Sequence, residues 1–268
     1  MKQSQMPLAI NDWGVLYGFG LFETFLVNYQ GKIFLLEAHL ERLLASAKFF
    51  EISIKIEASS LTQMVSEYLE QNRLWGKIVR LTLLAGNELQ QIPPSWHFSW
   101  RNSSYIAQKY LEGFKIGVAT VQKSNTSLLL QHKTTNYLEN FWLGQLALQH
   151  RMDDLLFLNT QGQITETTKS NLFFIKKGVL HTPRKETGLL PGIIRGWVLR
   201  EADQLGLQVF EGDYTLEELI MAEEIFLTNS AFGVMSVQEV VCEKRYLKEN
   251  FKIATLFRAK LAEKFRLC

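Results

Sequence analysis

The pattern of apolar and polar residues in the first part of the chain predicts both strands and helices. Runs of apolar and aromatic residues indicate strands, whereas apolar residues at steps of three and four indicate amphipathic helices. The predicted strands cover 21–27, 33–36 and 77–84, and the predicted helices cover 37–50 and 61–72.

Regular patterning breaks down between residues 85 and 104. This stretch contains Gly86 and the pair Pro93-Pro94, so we interpret it as a long surface loop with a domain boundary just after it. Trp96, Phe98 and Trp100 alternate within it, which would make one face of an extended segment aromatic. Such a face packs inside its own domain or lies against a second copy, and the sequence leaves both possibilities open.

The second part of the chain again mixes strands and helices, without the strict strand–helix–strand alternation of a doubly wound sheet. An α+β fold is therefore favoured, with domains at 1–110 and 111–268. The predicted helices cover 136–151, 191–205 and 251–265, and the predicted strands cover 115–121, 155–159, 164–165, 172–176, 179–181, 223–227 and 234–240.

Composition narrows the classes of partner. Of 268 residues, 47% are hydrophobic and 21% are charged, which is typical of a globular protein. A formal net charge of +2 gives no reason to expect nucleic acid, and no apolar run predicts a membrane span. Two cysteines and an N-terminus without a signal-peptide pattern favour a cytoplasmic location. The five histidines show no metal-binding spacing, so we expect no metal.

Three polar stretches are candidates for chemistry. Lys133 lies in a loop just before a predicted helix, whose electropositive N-terminus would help to keep a nearby amine neutral. Glu166 is followed by polar residues and then by an apolar strand. Pro191-Gly192 begins a helix whose free N–H groups could bind an anion. Each stretch alone is also compatible with an ordinary turn or surface loop.

The order of these stretches resembles that of the fold-type-IV pyridoxal-phosphate enzymes, the class-IV aminotransferase family. Its members include branched-chain aminotransferases, D-amino-acid aminotransferases and aminodeoxychorismate lyases. The matching motifs are GFGLFET at 18–24, LEAHLERL at 36–43 with Ser46-Ala47, KTTNYL at 133–138, ETTKSNLF at 166–173, GLLPGIIR at 188–195 and Thr228 at a strand end. The resemblance implies a two-domain D-amino-acid aminotransferase-like fold, with a small N-terminal α/β domain and a larger C-terminal α/β domain.

The resemblance also implies pyridoxal 5'-phosphate as cofactor and a role for each site residue. Lys133 would form the Schiff base and move protons as the catalytic residue. Glu166 would pair with the pyridine nitrogen, and Tyr137 would hydrogen-bond the phenolic oxygen. The phosphate would be held by the Arg42 side chain, the Thr228 hydroxyl and the backbone N–H groups of Ile193 and Ile194.

Two reactions follow from the resemblance. The K-x-x-N spacing from Lys133 to Asn136 resembles that of the lyases and D-amino-acid aminotransferases. It implies conversion of 4-amino-4-deoxychorismate to 4-aminobenzoate and pyruvate, a step toward folate, with transamination of D-amino or branched-chain amino acids as the alternative. No basic residue is assigned to the substrate carboxylates. Arg80, in the predicted strand 77–84, and Arg101 are the two candidates. A small-molecule amine substrate and a homodimer are expected. A noncatalytic binding protein is a third possibility, which the presence of Lys133 and Glu166 disfavours.

Overall fold

The structure is a computed structural model that describes residues 8–105, 107–242, 246–247 and 251–265. The helices are α1 (Trp13–Leu16), α2 (Leu36–Phe49), α3 (Ala58–Asn72), α4 (Ala107–Glu112), α5 (Leu138–Gln149), α6 (Ile193–Gln204), α7 (Leu216–Ile220) and α8 (Lys252–Phe265). The strands are β1 (Gly20–Leu26), β2 (Lys77–Leu84), β3 (Ser95–Asn102), β4 (Phe114–Lys123), β5 (Asp154–Asn159), β6 (Ile164–Thr167), β7 (Asn171–Lys176), β8 (Val179–Pro183), β9 (Val209–Gly212), β10 (Glu224–Asn229), β11 (Gly233–Val241) and β12 (Tyr246–Leu247).

The chain divides into two compact units. The first contains the described residues up to Ser103 together with the segment His132–Tyr137. The second contains Ser104–Gln131 and the described residues from Leu138 onward. The segment that bears Lys133 is therefore part of the first unit, although it lies well inside the predicted second domain, 111–268.

The first unit is an antiparallel sheet in the order β1-β2-β3, covered by α2 and α3. The two helices bury the apolar face that their three- and four-residue spacing predicts. Their buried residues pack against the inward-facing residues of the sheet in one core. This core includes Leu40, Leu61, Val65 and Leu69 of the helices and Phe25, Val79, Leu81 and Phe98 of the strands.

The prediction of a loop from 85 to 104 is wrong over its second half. Strand β3 pairs with β2 along its whole length, from Lys77 with Asn102 to Leu84 with Ser95. Of its aromatic residues, Phe98 is buried and its ring stacks on Tyr68 at 4.0 Å between centroids, whereas Trp100 is 43% exposed. The loop ends at Pro93-Pro94. The residues after this pair alternate between aromatic and polar side chains, which is the two-residue period of a strand.

The predicted strand at 33–36 is also wrong. Ile33 forms only an isolated bridge with Val27, and α2 already begins at Leu36. The intervening Leu35 has a left-handed conformation with a φ of 54°, which ends any extended segment there. Local apolar content alone suggested a strand, but four residues give too little pattern to separate a strand from a helix start.

The second unit is a mixed sheet in the order β10-β11-β4-β5-β6-β7-β8-β9. Strand β10 also pairs with β7, so part of this path closes on itself. Pairings β4–β5, β4–β11 and β8–β9 are parallel and the others along the path are antiparallel. The mixture agrees with the predicted α+β class. Within the described residues, no helix is long and apolar enough to cross a membrane.

Candidate active site

In the first unit, the segment around Lys133 is fixed by the backbone of β1. The Phe22 N–H donates to the Lys133 carbonyl at 2.9 Å, and the Thr135 N–H donates to the Gly20 carbonyl at 2.8 Å. Thr134 bridges Leu21 between these two bonds. Lys133 is therefore held by sheet-like hydrogen bonds rather than by a free loop, and its side chain starts from a defined position.

The side chains that follow Lys133 strengthen this attachment. The Thr135 hydroxyl and the Asn136 amide donate to the Gly18 carbonyl at 2.6 and 2.9 Å. Gly18 has a φ of 68°, and a Cβ there would come within 2.9 Å of the Asn136 side chain. The asparagine of the K-x-x-N spacing thus anchors the lysine segment, and it requires a glycine opposite.

Aromatic rings surround the Lys133 amine within the first unit. Its Nζ lies 4.5 Å from the Phe22 ring centroid and 5.5 Å from that of Tyr137. The two rings meet edge to face, with centroids 5.4 Å apart. The structure therefore places Lys133 and Tyr137 side by side. It also places Phe22, to which sequence reasoning gave no role, under the amine.

Arg80 of β2 shares the Phe22 ring. Its guanidinium carbon lies 3.5 Å from the ring centroid, and its Nε donates to the Thr82 hydroxyl at 3.3 Å. Burial lowers the pKa of Arg80, and none of the described carboxylates pairs with it. A half-buried guanidinium without a carboxylate partner is suited to bind the carboxylate of a ligand. No local sequence signal distinguished Arg80 from other basic strand residues.

Arg42 belongs to a buried cluster with Glu23 and His39. Its Nε and Nη2 donate to the two Glu23 carboxylate oxygens at 2.8 and 2.7 Å. His39 Nδ1 lies 2.7 Å from Glu23 Oε2. Burial alone would raise the pKa of Glu23, but Arg42 and His39 together lower it to about 2. Glu23 and His39 lie within the motifs that carry the resemblance, but the resemblance implied no role for either residue.

In the second unit, the Glu166 carboxylate is buried and held in place. The Leu190 N–H donates to Glu166 Oε2 at 3.1 Å, and the Asn171 amide donates to the same oxygen at 3.2 Å. The Asn171 amide also donates to the Leu190 carbonyl at 2.8 Å. Glu166 and the approach to α6 are therefore brought together through Asn171, a residue of the motif whose contribution was not recognised from the sequence.

The start of α6 lies beside the same asparagine. Gly192 is the N-cap residue and supplies no side-chain cap to the first N–H groups of the helix, which include those of Ile193 and Ile194. A Cβ at Gly192 would overlap the Asn171 side-chain oxygen. The glycine therefore allows the helix terminus to approach the strand that bears Asn171, and this terminus is a suitable anion site.

Thr228 completes this group of residues. It pairs with Asn171 where β10 and β7 lie side by side. Its hydroxyl is buried, and it has no hydrogen-bond partner among the described residues. Because a buried hydroxyl without a partner is costly, this atom is suited to a ligand oxygen.

These observations test whether pyridoxal phosphate fits the residues present. The unpartnered Thr228 hydroxyl and the uncapped start of α6 suit a phosphate, and the fixed Glu166 carboxylate suits a protonated ring nitrogen. The residues present therefore fit the cofactor. The first unit holds Lys133, Tyr137 and Arg42, and the second holds Glu166, Ile193, Ile194 and Thr228. No cluster of metal-binding side chains occurs in the described part of the chain.

The fold and these residues define a fold-type-IV pyridoxal-phosphate enzyme. Residues 20–240 match the amino-transferase class IV family, and the chain belongs to this family.

The chain is similar to lyases and to aminotransferases of the family. It is 27% identical over 246 residues to aminodeoxychorismate lyase of Bacillus subtilis, covering 90% of this chain and 84% of the relative. It is also 27% identical to branched-chain-amino-acid aminotransferase of Pseudomonas aeruginosa, covering 84% and 76%. The structure of branched-chain aminotransferase from Thermoproteus uzoniensis with norvaline superposes with a TM-score of 0.85 at 26% identity, covering 98% of this chain and 90% of that one.

Proposed function

We propose that this chain binds pyridoxal 5'-phosphate and converts 4-amino-4-deoxychorismate to 4-aminobenzoate and pyruvate. The observation that carries the proposal is the arrangement of Lys133, whose amine lies over aromatic rings while its backbone is fixed to β1. The K-x-x-N spacing that anchors this lysine and the similarity to a lyase over 90% of the chain support the lyase reaction.

Bound pyridoxal phosphate supplies an electron-accepting ring that stabilises negative charge next to the substrate nitrogen. Lys133 would hold the cofactor through Nζ, and the same amine would take the proton from C4 of the substrate. The bond from the adjacent ring carbon to oxygen then breaks, and pyruvate leaves as its enol. Tyr137, beside the amine, donates to the phenolic oxygen of the cofactor.

Glu166 accepts a hydrogen bond from the ring N–H and keeps that proton in place. Two donors, the Leu190 N–H and the Asn171 amide, hold the carboxylate where it lies. The carboxylate therefore does not need to reorganise during the reaction. The phosphate is bound by the Thr228 hydroxyl, the first N–H groups of α6 at Ile193 and Ile194, and Arg42.

Arg80 binds a carboxylate of the substrate. It is the basic residue that shares the Phe22 ring with Lys133, and none of the described carboxylates competes for it. A carboxylate held there would keep the substrate next to the amine that removes its proton. This assignment fills the role that sequence reasoning left open between Arg80 and Arg101.

Amino transfer is the second candidate. The chain is 27% and 30% identical to two relatives named as branched-chain aminotransferases, which is at least as high as its 27% identity to the lyase. In amino transfer, Lys133 would take the proton from the carbon that bears the amine of an amino acid and would pass it on, and no carbon–oxygen bond would break.

Purified protein supplied with pyridoxal phosphate tests both reactions. Aminodeoxychorismate is one substrate, and D- and L-amino acids with 2-oxoglutarate or pyruvate form the comparison panel. Formation of 4-aminobenzoate that is lost in Lys133→Ala and weakened mainly in KM by Arg80→Gln supports the lyase. Keto-acid formation from the panel without 4-aminobenzoate supports the aminotransferase. If cofactor-loaded protein forms neither 4-aminobenzoate nor a keto acid, both candidate reactions are contradicted. Arg101→Gln, which changes an exposed arginine, is the control for Arg80.

We also propose that the chain forms a homodimer. Leu138, Phe141 and Trp142 share one face of α5 and are 80%, 61% and 58% exposed. A second copy of the chain would cover this apolar face, which a monomer leaves in water. Light scattering should give a dimer mass that falls to a monomer mass in Trp142→Glu but not in Gln71→Glu, which changes an exposed residue of α3 outside this face. A monomer mass for the wild type would remove the proposal.

The two cysteines are consistent with a reducing, cytoplasmic location.

A further inference from the structure

Glu23 is completely buried, and its carboxylate forms an ion pair with Arg42, which the proposed function assigns to the cofactor phosphate. Its Oε1 accepts from Arg42 Nε, and its Oε2 accepts from Arg42 Nη2 and lies 2.7 Å from His39 Nδ1. The Glu23 side chain is 0% exposed, whereas that of Arg42 is 13% exposed. The arginine therefore reaches toward the surface of its unit from a carboxylate that lies wholly inside it.

The two hydrogen bonds fix the plane of the Arg42 guanidinium. A guanidinium has five N–H groups in one plane, and Glu23 accepts from two of them along the Nε and Nη2 edge. The other N–H groups therefore point away from Glu23 in directions that the pair determines. A phosphate is recognised by such a planar set of donors, so the orientation of the plane matters as much as the charge.

His39 holds Glu23 from the other side. Its Nε2 is buried without a hydrogen-bond partner among the described residues, so the ring proton belongs on Nδ1, facing Glu23. Burial lowers the pKa of His39, which keeps the ring neutral. The His39 ring also meets Phe25 edge to face at 5.7 Å. The carboxylate is thus positioned by a neutral donor that is itself packed in the core.

We propose that Glu23, held by His39, is the positioning residue of Arg42 and thereby sets the preference of this enzyme for a phosphate-bearing ligand. The inference rests on the proposed function, since it requires Arg42 to bind the cofactor phosphate. It gives the buried carboxylate a purpose beyond neutralising an arginine.

Removing the charge of Glu23 distinguishes two roles of this residue. A counter-ion and an orienting residue predict opposite changes in the affinity for a phosphate. If Glu23 were only a counter-ion, removing its charge would leave more positive charge at Arg42 and would strengthen binding of a phosphate. If Glu23 orients Arg42, the same change weakens phosphate binding, because the pair of hydrogen bonds that fixes the guanidinium plane is lost. Glu23→Gln keeps the size and removes the charge, whereas Glu23→Asp keeps the charge and moves the carboxylate back by one carbon.

The experiment compares dissociation constants of pyridoxal 5'-phosphate and of pyridoxal, which lacks the phosphate, for each cofactor-free variant. Both ligands react with Lys133, so their ratio isolates the phosphate. We expect Glu23→Gln and Glu23→Asp to reduce the preference for the phosphate-bearing ligand by about tenfold to a hundredfold, the range for hydrogen bonds to charged groups. Affinity for pyridoxal should stay unchanged. Glu41→Gln, an exposed neighbour of Arg42 on α2, should change neither ligand.

Three further results complete the test. Arg42→Ala should lower the same ratio, and adding Glu23→Gln to it should lower the ratio no further, because the glutamate acts through the arginine. An unchanged or increased ratio in Glu23→Gln, with a folded protein by thermal melting, overturns the proposal. A wild type that binds neither pyridoxal phosphate nor pyridoxal, or that shows no preference between them, contradicts the proposed phosphate site instead. The two failures are therefore distinguishable.

Discussion

Thr228→Val is expected to stabilise the cofactor-free protein while weakening its binding of pyridoxal phosphate. The hydroxyl of Thr228 is buried, with the residue 1% exposed, and no described residue satisfies it. Valine has nearly the same shape, so the strand pairing with Asn171 and the surrounding packing remain. The substitution removes a polar atom whose only proposed partner is the cofactor phosphate.

The expected changes in stability and in cofactor affinity follow from the state of the Thr228 hydroxyl, which lacks a partner without cofactor and would bind the phosphate with it. A buried polar group without a partner costs about 1–3 kcal/mol. Its removal should therefore raise the free energy of unfolding of the cofactor-free protein by roughly that amount, or the melting temperature by about 2–4 °C for each kcal/mol in a chain of this size. A hydrogen bond to a charged oxygen is worth about 1.5–3 kcal/mol. Its loss should weaken the affinity for pyridoxal phosphate about tenfold to a hundredfold.

Thermal melts without cofactor and equilibrium dialysis with pyridoxal phosphate measure the two effects. Ser236→Ala is the matched control, because the Ser236 hydroxyl is also buried without a partner among the described residues but lies on β11 outside the proposed site. The control should leave cofactor affinity unchanged. Unchanged affinity in Thr228→Val would refute the phosphate role. A loss of stability in the cofactor-free protein would show that the hydroxyl has a structural partner.

Lys133→Ala should abolish covalent cofactor attachment, and borohydride reduction with peptide mapping should find the pyridoxyl group on residue 133 of the wild type; a label on another lysine contradicts this. Glu166→Gln should retain the cofactor, seen by absorbance, but lower kcat by at least tenfold, because the ring nitrogen loses its anionic partner; wild-type turnover would make Glu166 a structural residue. Gly192→Ala should weaken cofactor affinity by displacing Asn171, whereas Gly196→Ala in the same helix, where a Cβ meets only the end of Arg200, should not. Equal affinities in these two variants would remove the role of the close approach at Gly192.

The sequence predicted the elements that have a strong local period. The helix near 37–50 and the strand at 77–84 have apolar spacing that only one kind of element satisfies, and the structure has α2 and β2 there. The errors at 33–36 and after residue 94 arose where the pattern was short or followed a proline pair. Strand β9 was not predicted at all, because its pairing with β8 is parallel and its four residues include only two apolar ones.

The candidate residues were predicted by resemblance, but their partners were not. Nothing near Arg42 in the sequence indicates that Glu23, on another element, binds it. Likewise the Asn171 amide links Glu166 to Leu190 through bonds that close only when distant segments fold together. Such contacts depend on sheet register and helix approach, which hydrophobic periodicity does not encode.

The pairing of the Lys133 segment with β1 has a consequence for protein synthesis. In the sheet order β1-β2-β3, β1 is an edge strand, and residues 132–137 supply the partner for its outer side. A nascent chain must therefore grow by about 30 residues beyond Ser103 before this partner exists, which takes a few seconds on the ribosome. During that interval the amide of Phe22 and the carbonyl of Gly20 remain available to other chains. The lysine proposed to hold the cofactor thus arrives with the segment that protects the nascent sheet from aggregation.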